Sequence, residues 1–226
     1  MSLMDFEINI YKNQNHRFIG GIDEVGRGCL AGPLVTAIVV YDIENLVELS
    51  KNPEILKRIN QIKDSKKLSE KKREELSAFI KEIAYFYAVD EASNNDIDSM
   101  GISKVTNNSF LKNYMYAYAK RIDFVLIDAF RIKEIDSHKQ SSLIKGDNTS
   151  LAIASASIIA KFYRDELMKK VGEQDEFKIY GFDSHKGYGT AAHIETIKRC
   201  GFSSIHRKSF EPIKSMTRLS LLTNNF

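Results

Sequence analysis

The sequence predicts an α/β fold: a mixed central β-sheet flanked by helices, with a C-terminal helical extension. Three observations carry that expectation. Residues 18–22 and 33–41 are apolar runs on either side of a glycine-rich turn, which reads as an antiparallel hairpin. Residues 123–130 (DFVLIDAF) form a continuous apolar run, the pattern of a strand buried on both faces in a parallel part of a sheet. Stretches with apolar residues at helical spacing alternate with these strands.

The first strand leads into GGIDEVGRGCLAGPLV at residues 20–35. Asp23 and Glu24 are expected where the strand ends, because Gly26 and Gly28 permit a sharp backbone turn. Neighbouring strand residues face opposite sides, so two adjacent carboxylates share a site only where the backbone leaves the pleat. Arg27, between two residues without side chains, leaves its flanking N–H groups open to a phosphate or sugar. An acidic hairpin turn would explain the Asp-Glu pair equally well if it stood alone.

Ser69 is the expected N-cap of a helix running to about residue 82, with Leu76, Phe79, Ile80 and Ile83 on its apolar face. Its entry carries Lys63, Lys66, Lys67, Lys71, Lys72 and Arg73, either a phosphate-attracting helix start or a solvated lysine face. Residues 85–90 read as a strand, and 102–119 as an amphipathic helix with Ile102, Val105, Leu111 and Tyr114 inward. Asp128 closes the apolar run at 123–130 much as Asp23 closes the first strand, and ligands of open α/β sheets bind beyond the carboxyl ends of parallel strands.

Gly146 and Asp147 precede a helix expected over 151–171, whose start is rich in small residues: Ala152, Ala154, Ser155, Ala156 and Ser157. Such a helix can lie close to a sheet and bring Asp147 towards the other acids, although a capping role also suits an Asp there. Residues 180–190 (YGFDSHKGYGT) form a glycine-rich loop with His185, Lys186 and Tyr188, a mixture suited to sugar, phosphate and stacking contacts. A short helix from Ala191, stopped by Gly201, follows. The basic character continues through His206, Arg207 and Lys208, and a terminal helix is expected over 212–222.

With 226 residues, 43% hydrophobic and 28% charged, and 3 prolines, the chain suits one compact body without long linkers. Its apolar runs are too short for a membrane span and no cleavable signal opens it, so a cytoplasmic, monomeric protein with no membrane partner is expected. Cys29 and Cys200 are too few for a disulfide framework. A net charge of +3 does not itself announce a polyanion partner, but setting aside four carboxylates as cation ligands leaves a more basic remainder.

Taken in order, GIDEVGRG, DSKKLSE, a strand ending in Asp128, KGD before ASASIIAKFYRD, and HKGYGTAAH closely resemble the type 2 ribonucleases H (ribonuclease HII), over about residues 18–210. The resemblance implies a ribonuclease H-like fold for 1–226 as a single domain, with a catalytic α/β core over about 18–170 and a helical, substrate-contacting part over about 171–226. It also implies that Asp23, Glu24, Asp128 and Asp147 are catalytic and hold two divalent cations, Mg²⁺ or Mn²⁺, an oxygen-only set suited to such ions.

By the same resemblance, Gly26, Arg27 and Gly28 read a ribose 2′-OH, Tyr188 stacks on the following deoxyribose, and Ser65, Lys66 and Lys186 hold backbone phosphates. The implied substrates are RNA–DNA hybrids and duplex DNA with embedded ribonucleotides, cut 5′ of the ribonucleotide to leave 3′-hydroxyl and 5′-phosphate ends. A catalytically inert hybrid-binding protein is the main alternative, and a general nuclease of the same broad fold a third. Ala129 departs from the family, which usually has Gly after the third acid, and residues 96–112 are more polar than expected of relatives. Residues 218–222 (RLSLL) are similar to the short peptides by which bacterial replication proteins bind the sliding clamp, an ordinary amphipathic tail being the alternative.

Overall fold

A computed structural model describes residues 2–63 and 65–217. The chain divides into two compact units interleaved in sequence: Met1–Val25, Val35–Asp90 and Asn107–Phe162 form the first, and Gly26–Leu34, Glu91–Thr106 and Tyr163–Phe226 the second.

The first unit is built on a five-stranded sheet. In chain order its early elements are α1 (Met4–Gln14), β1 (Phe18–Val25), β2 (Leu34–Asp42), α2 (Ile43–Ser50), α3 (Pro53–Ile59), α4 (Glu70–Ile83) and β3 (Phe86–Ala92). After α5 (Asn94–Met100) come α6 (Ile102–Tyr118), β4 (Phe124–Asp128), β5 (Gln140–Leu143) and α7 (Leu151–Gly172). The strand order is β3-β2-β1-β4-β5, with β1 antiparallel to β2 and parallel to β4, and β4 parallel to β5. The sheet is therefore mixed, as expected.

Strand periodicity sorts the core. Ile19, Val25, Val35, Ala37, Val39, Phe124 and Leu126 belong to one apolar cluster, shared with α1, α4 and the start of α7. Ile22, Ile38, Val40, Val125 and Ile127 belong to a second, with Phe110 and Tyr114 of α6. Alternate residues thus serve opposite faces, and both faces are apolar because helices cover both. The small-residue start of α7 does what its composition suggests. A Cβ added to Gly21 of β1 would lie 2.2 Å from the backbone of Ala152 and Ile153, so only glycine lets the helix come this close.

Ser69 caps α4, its hydroxyl accepting from the Lys72 N–H at 3.2 Å. One strand boundary differs from expectation. β1 does not stop before its acids but runs through Val25, paired Asp23↔Ala37, Glu24↔Thr36 and Val25↔Val35. Continued pairing with an apolar β2 outweighs the local charge as a stop signal.

In the second unit, α5, α8 (Phe182–His185) and α9 (Ala191–Cys200) join the Gly26–Leu34 segment around small apolar clusters. Phe177, Tyr180 and Phe182 pack with Ala31 and Met168, while Leu30 packs with Ile197 and Ile213. Gly201 ends α9, as the sequence suggested, and Thr190 caps its start, the hydroxyl oxygen accepting from the His193 N–H. Residues 213–217 are helical, and 218–222 lie outside the described residues. Among the described residues no helix is long and apolar enough to cross a membrane.

Candidate active site

β1 and β4 run parallel in the register Gly21↔Leu126 and Ile22↔Ile127, so the next position on each strand is an acid, Asp23 and Asp128. By alternation both belong to the face that carries Val25, Phe124 and Leu126, while Glu24 belongs to the other. Asp23 is 8% exposed. Its Oδ1 accepts from the Glu24 N–H at 2.8 Å, and its carboxylate also accepts from the Ser157 hydroxyl on α7.

Burial pushes the Asp23 carboxyl up to about 8, the charge of Glu24 and then that of Asp128 add to the rise, and the Ser157 hydrogen bond opposes it. The Ser157 hydroxyl also lies 2.9 Å from that of Ser65. Ser65 is therefore buried and linked to Asp23 through Ser157, whereas Lys66 beside it is exposed.

Asp128, half-buried, accepts the Gly146 N–H at 2.7 Å through Oδ1. That bond ties the end of β4 to the 3₁₀ turn Gly146–Asn148, which carries Asp147. A Cβ on Gly146 would lie 2.5 Å from Ile153 Cδ1 and 3.4 Å from Asp128 Oδ1, so a side chain there would push on the Ile153 methyl. Asp147 does not cap α7. Its Oδ1 accepts from Asn148 Nδ2 at 2.9 Å, and Ser150 takes the capping role, its hydroxyl oxygen accepting from Ile153 N at 3.1 Å. Asp147 also lines a cavity of about 450 Å³ together with Ser2, Leu3, Ile59, Lys63 and Asn148.

The charges of Glu24 and Asp128 thus act on Asp23, and Asp147 is one residue from the amide bound by Asp128. Among the described residues no three His, Cys, Asp or Glu side chains close around one point as metal ligands. Ala129, which follows Asp128, has φ +46°, a left-handed conformation that favours glycine.

Sequence reasoning missed two contributors. Ser157 was legible only as a small residue. Glu7 of α1 is fully buried, and its Oε1 accepts from the Ser150 hydroxyl at 2.6 Å and the Ala152 N–H at 3.0 Å. Burial pushes its carboxyl up to about 7, and its Oε2 meets no hydrogen-bond partner among the described residues. No local pattern marks Glu7, because its partners lie more than 140 positions away.

The second unit holds the other candidate residues. Gly26 has φ +89°, and a Cβ there would lie 2.2 Å from Arg164 Nε. The Cys29 N–H donates to the Gly26 carbonyl at 3.2 Å, closing the turn around the half-buried Arg27 and the exposed Gly28. The N–H groups of Leu30 and Ala31 donate to the Gly187 carbonyl at 2.9 and 3.3 Å, so this segment and the 186–188 loop are bonded together. The Tyr188 ring is 38% exposed, with the Arg164 guanidinium 5.9 Å from its centroid. Lys186 is buried and its amine donates to the Asp183 carbonyl. His193 Nδ1 lies 2.9 Å from the Tyr188 carbonyl, and His193 Nε2 lies 3.0 Å from His206 Nε2. Arg207, part of the basic run 206–208, is fully buried.

A family model described as Ribonuclease HII matches residues 20–213. The chain is 47% identical over 196 residues to a ribonuclease HII of Clostridium botulinum (strain Loch Maree / Type A3), covering 87% of this chain and 68% of that protein. Among solved structures it is similar to the ribonuclease HII in the PCNA:RNase HII complex from Archaeoglobus fulgidus, with 25% identity, TM-score 0.68, and coverage of 86% and 95% of the two chains. A likeness in fold extends to Bst-RNase HIII, solved in complex with Mn²⁺, with 19% identity, TM-score 0.66, and coverage of 90% and 70%.

Proposed function

The chain belongs to the ribonuclease HII family and is a ribonuclease H endoribonuclease; from that premise we propose a metal-dependent reaction on RNA–DNA hybrids and on ribonucleotides embedded in duplex DNA. Incision falls on the 5′ side of the ribonucleotide and leaves 3′-hydroxyl and 5′-phosphate ends. The observation that carries this reading is the buried Asp23 carboxyl, pushed up to about 8 with the charges of Glu24 and Asp128 acting on it. Such a cluster is costly until positive charge arrives, and its oxygen donors fit Mg²⁺ or Mn²⁺. Asp23, Glu24, Asp128 and Asp147 would hold two such ions, which supply water activation and stabilisation of the leaving oxygen when bound.

The protein's own residues do the rest. Ser157 keeps the Asp23 carboxylate oriented and favours its ionised form. The Gly146 N–H keeps the Asp128 carboxylate oriented. Gly26, Arg27 and Gly28 read the ribose 2′-OH, Tyr188 offers its exposed ring to a sugar, and Ser65, Lys66 and Lys186 serve the phosphate backbone. On this reading residues 18–170 form the catalytic core and 171–226 the substrate-contacting part of one ribonuclease H-like domain, in a monomeric cytoplasmic protein. The archaeal relative solved with PCNA favours a clamp partner for residues 218–222, which lie outside the described residues. Clamp affinity unchanged by deleting residues 219–226 would remove that partner.

The experiment is a duplex with one ribonucleotide, incubated with Mg²⁺ or Mn²⁺ and the wild type, Asp128→Asn or Arg27→Ala. Asp128→Asn is expected to lose cleavage by about a thousandfold or more while still binding the duplex. Arg27→Ala is expected chiefly to lose discrimination for ribose, by about tenfold or more. An active Asp128→Asn, or cleavage of all-DNA duplex as fast as the ribonucleotide duplex by the wild type, contradicts the reading.

A further inference from the structure

Two arginines of the second unit, Arg164 and Arg207, are completely buried. Among the described residues, every hydrogen bond from their guanidinium groups ends on a backbone carbonyl. Arg207 donates through Nη1 to the Arg27 oxygen at 2.9 Å, and through Nε and Nη2 to the Gly32 oxygen at 3.1 and 3.0 Å. Arg164 donates to the oxygens of Pro33 at 2.9 Å, Ala31 at 3.0 Å and Lys186 at 2.8 Å. Burying a cation is expensive, and a hydrogen bond from each of the three guanidinium nitrogens of both arginines offsets part of that cost. Burial, with Arg164 nearby, lowers Arg207 to about 10, so it stays charged at neutral pH.

The bond to Arg27 has a directional consequence. The Arg27–Gly28 peptide is trans, the one cis bond among the described residues being Glu211–Pro212. In a trans peptide the C=O and the following N–H point opposite ways. Drawing the Arg27 oxygen inward onto Arg207 therefore turns the Gly28 N–H away from the protein interior.

The two glycines of the turn then separate by purpose. Gly26 is required internally, by its φ of +89° and by Arg164 against its Cα. Gly28 has no such reason: it is exposed, lies outside the left-handed region, and would meet nothing within 4 Å if it carried a Cβ. A missing side chain with open space in front of it and an amide aimed into that space suits a close external ligand.

We propose that Arg207 is a positioning residue for sugar recognition, holding the Arg27 carbonyl so that the Gly28 N–H faces a ribose. Arg164 fixes the far end of the same segment to the 186–188 loop. The proposal rests on the Gly26–Gly28 turn being the ribose reader. Lysine keeps the charge at position 207 but lacks the fork that engages two carbonyls at once.

The test measures binding, with divalent ions chelated so that nothing is cut. A duplex with one ribonucleotide and the all-DNA duplex of the same sequence are compared by fluorescence anisotropy. The wild type is expected to prefer the ribonucleotide duplex by about fivefold or more. Arg207→Lys is expected to bring that ratio to near one while the all-DNA affinity stays within about twofold. A variant that keeps the wild-type ratio, or that weakens both duplexes equally, overturns the proposal. Absence of any ribose preference in the wild type overturns the ribose-reader assignment itself, a distinct result. Should Arg207→Lys not fold, the Gly28 amide of ¹⁵N-labelled wild type decides. Its resonance is expected to shift more with the ribonucleotide duplex than with DNA, and equal shifts overturn the proposal.

Discussion

At the end of β1 a buried carboxylate feels two more acids, whereas in the Gly26–Leu34 segment two buried guanidinium groups are bonded to carbonyl oxygens. The first arrangement is left electrostatically unsettled. Burial and like charge raise the Asp23 carboxyl, and one serine hydroxyl and one N–H oppose them. The second is settled, because all six hydrogen bonds from the two arginines land on acceptors that cannot ionise. On the proposed reading, the first region takes cations and its like charges are relieved only when they arrive, whereas the second meets a polyanion and keeps its shape through bonds already made.

The comparison breaks first at Ser157. If the carboxylate cluster is tuned by that hydroxyl, Ser157→Ala should weaken Mn²⁺ binding by about tenfold or more, with cleavage falling in step and saturating metal restoring part of it. Unchanged metal affinity would show that the hydroxyl is packing alone.

Glu7 sharpens the contrast, being a buried acid beside a helix start instead of beside other acids. Its carboxyl is raised from 4.5 to about 7, so the folded protein holds a proton that the unfolded chain releases earlier. Stability from this group is present below about 4.5 and lost as pH rises to about 7, and Asp23, raised to about 8, acts in the same direction. Glu7→Gln should therefore flatten the fall in melting temperature between pH 5 and 7 in chelator, leaving the share due to Asp23. An identical pH profile in the variant would contradict the assignment.

The smallest effect is expected at Ala129. Its φ of +46° is strained for a residue with a Cβ, so Ala129→Gly should change stability by no more than about 1 kcal/mol, in the stabilising direction, because relief of strain slightly exceeds the added freedom of the unfolded chain. Chemical denaturation measures it, and a clear destabilisation would mean that the Ala methyl packs favourably there.

How much of this was legible follows from where each signal resides. Ser69 was readable as a cap, and Gly201 as a stop, because their partners lie within a turn of the chain. β4 was readable because both its faces are apolar. By contrast β5 is QSSL, a polar edge strand that exists through its register with β4 and has no propensity signal of its own. The N-terminal helix gave no warning of Glu7, whose burial depends on Ser150 and Ala152. The end of β1 was misjudged because two charges look like a stop, while the pairing of Asp23 and Glu24 with β2 is a property of the sheet.

For the candidate site, motif order nominates the residues, but it carries none of their electrostatics. Arg164 and Arg207 are ordinary basic letters in sequence, and only carbonyl acceptors brought from distant segments distinguish them from surface charges. Ser157 likewise appears as one small residue among several until its hydroxyl is found beside Asp23.

The central claim is that the acids at the ends of β1 and β4 are a cation site, and Mn²⁺ titration of the nucleic-acid-free protein, followed by the electron paramagnetic resonance of free Mn²⁺, tests it most directly. The wild type should withdraw Mn²⁺ from solution, and Asp23→Asn and Asp128→Asn should each weaken that binding by about tenfold or more while the variants stay folded. Equal Mn²⁺ affinity in the wild type and both variants would contradict the account.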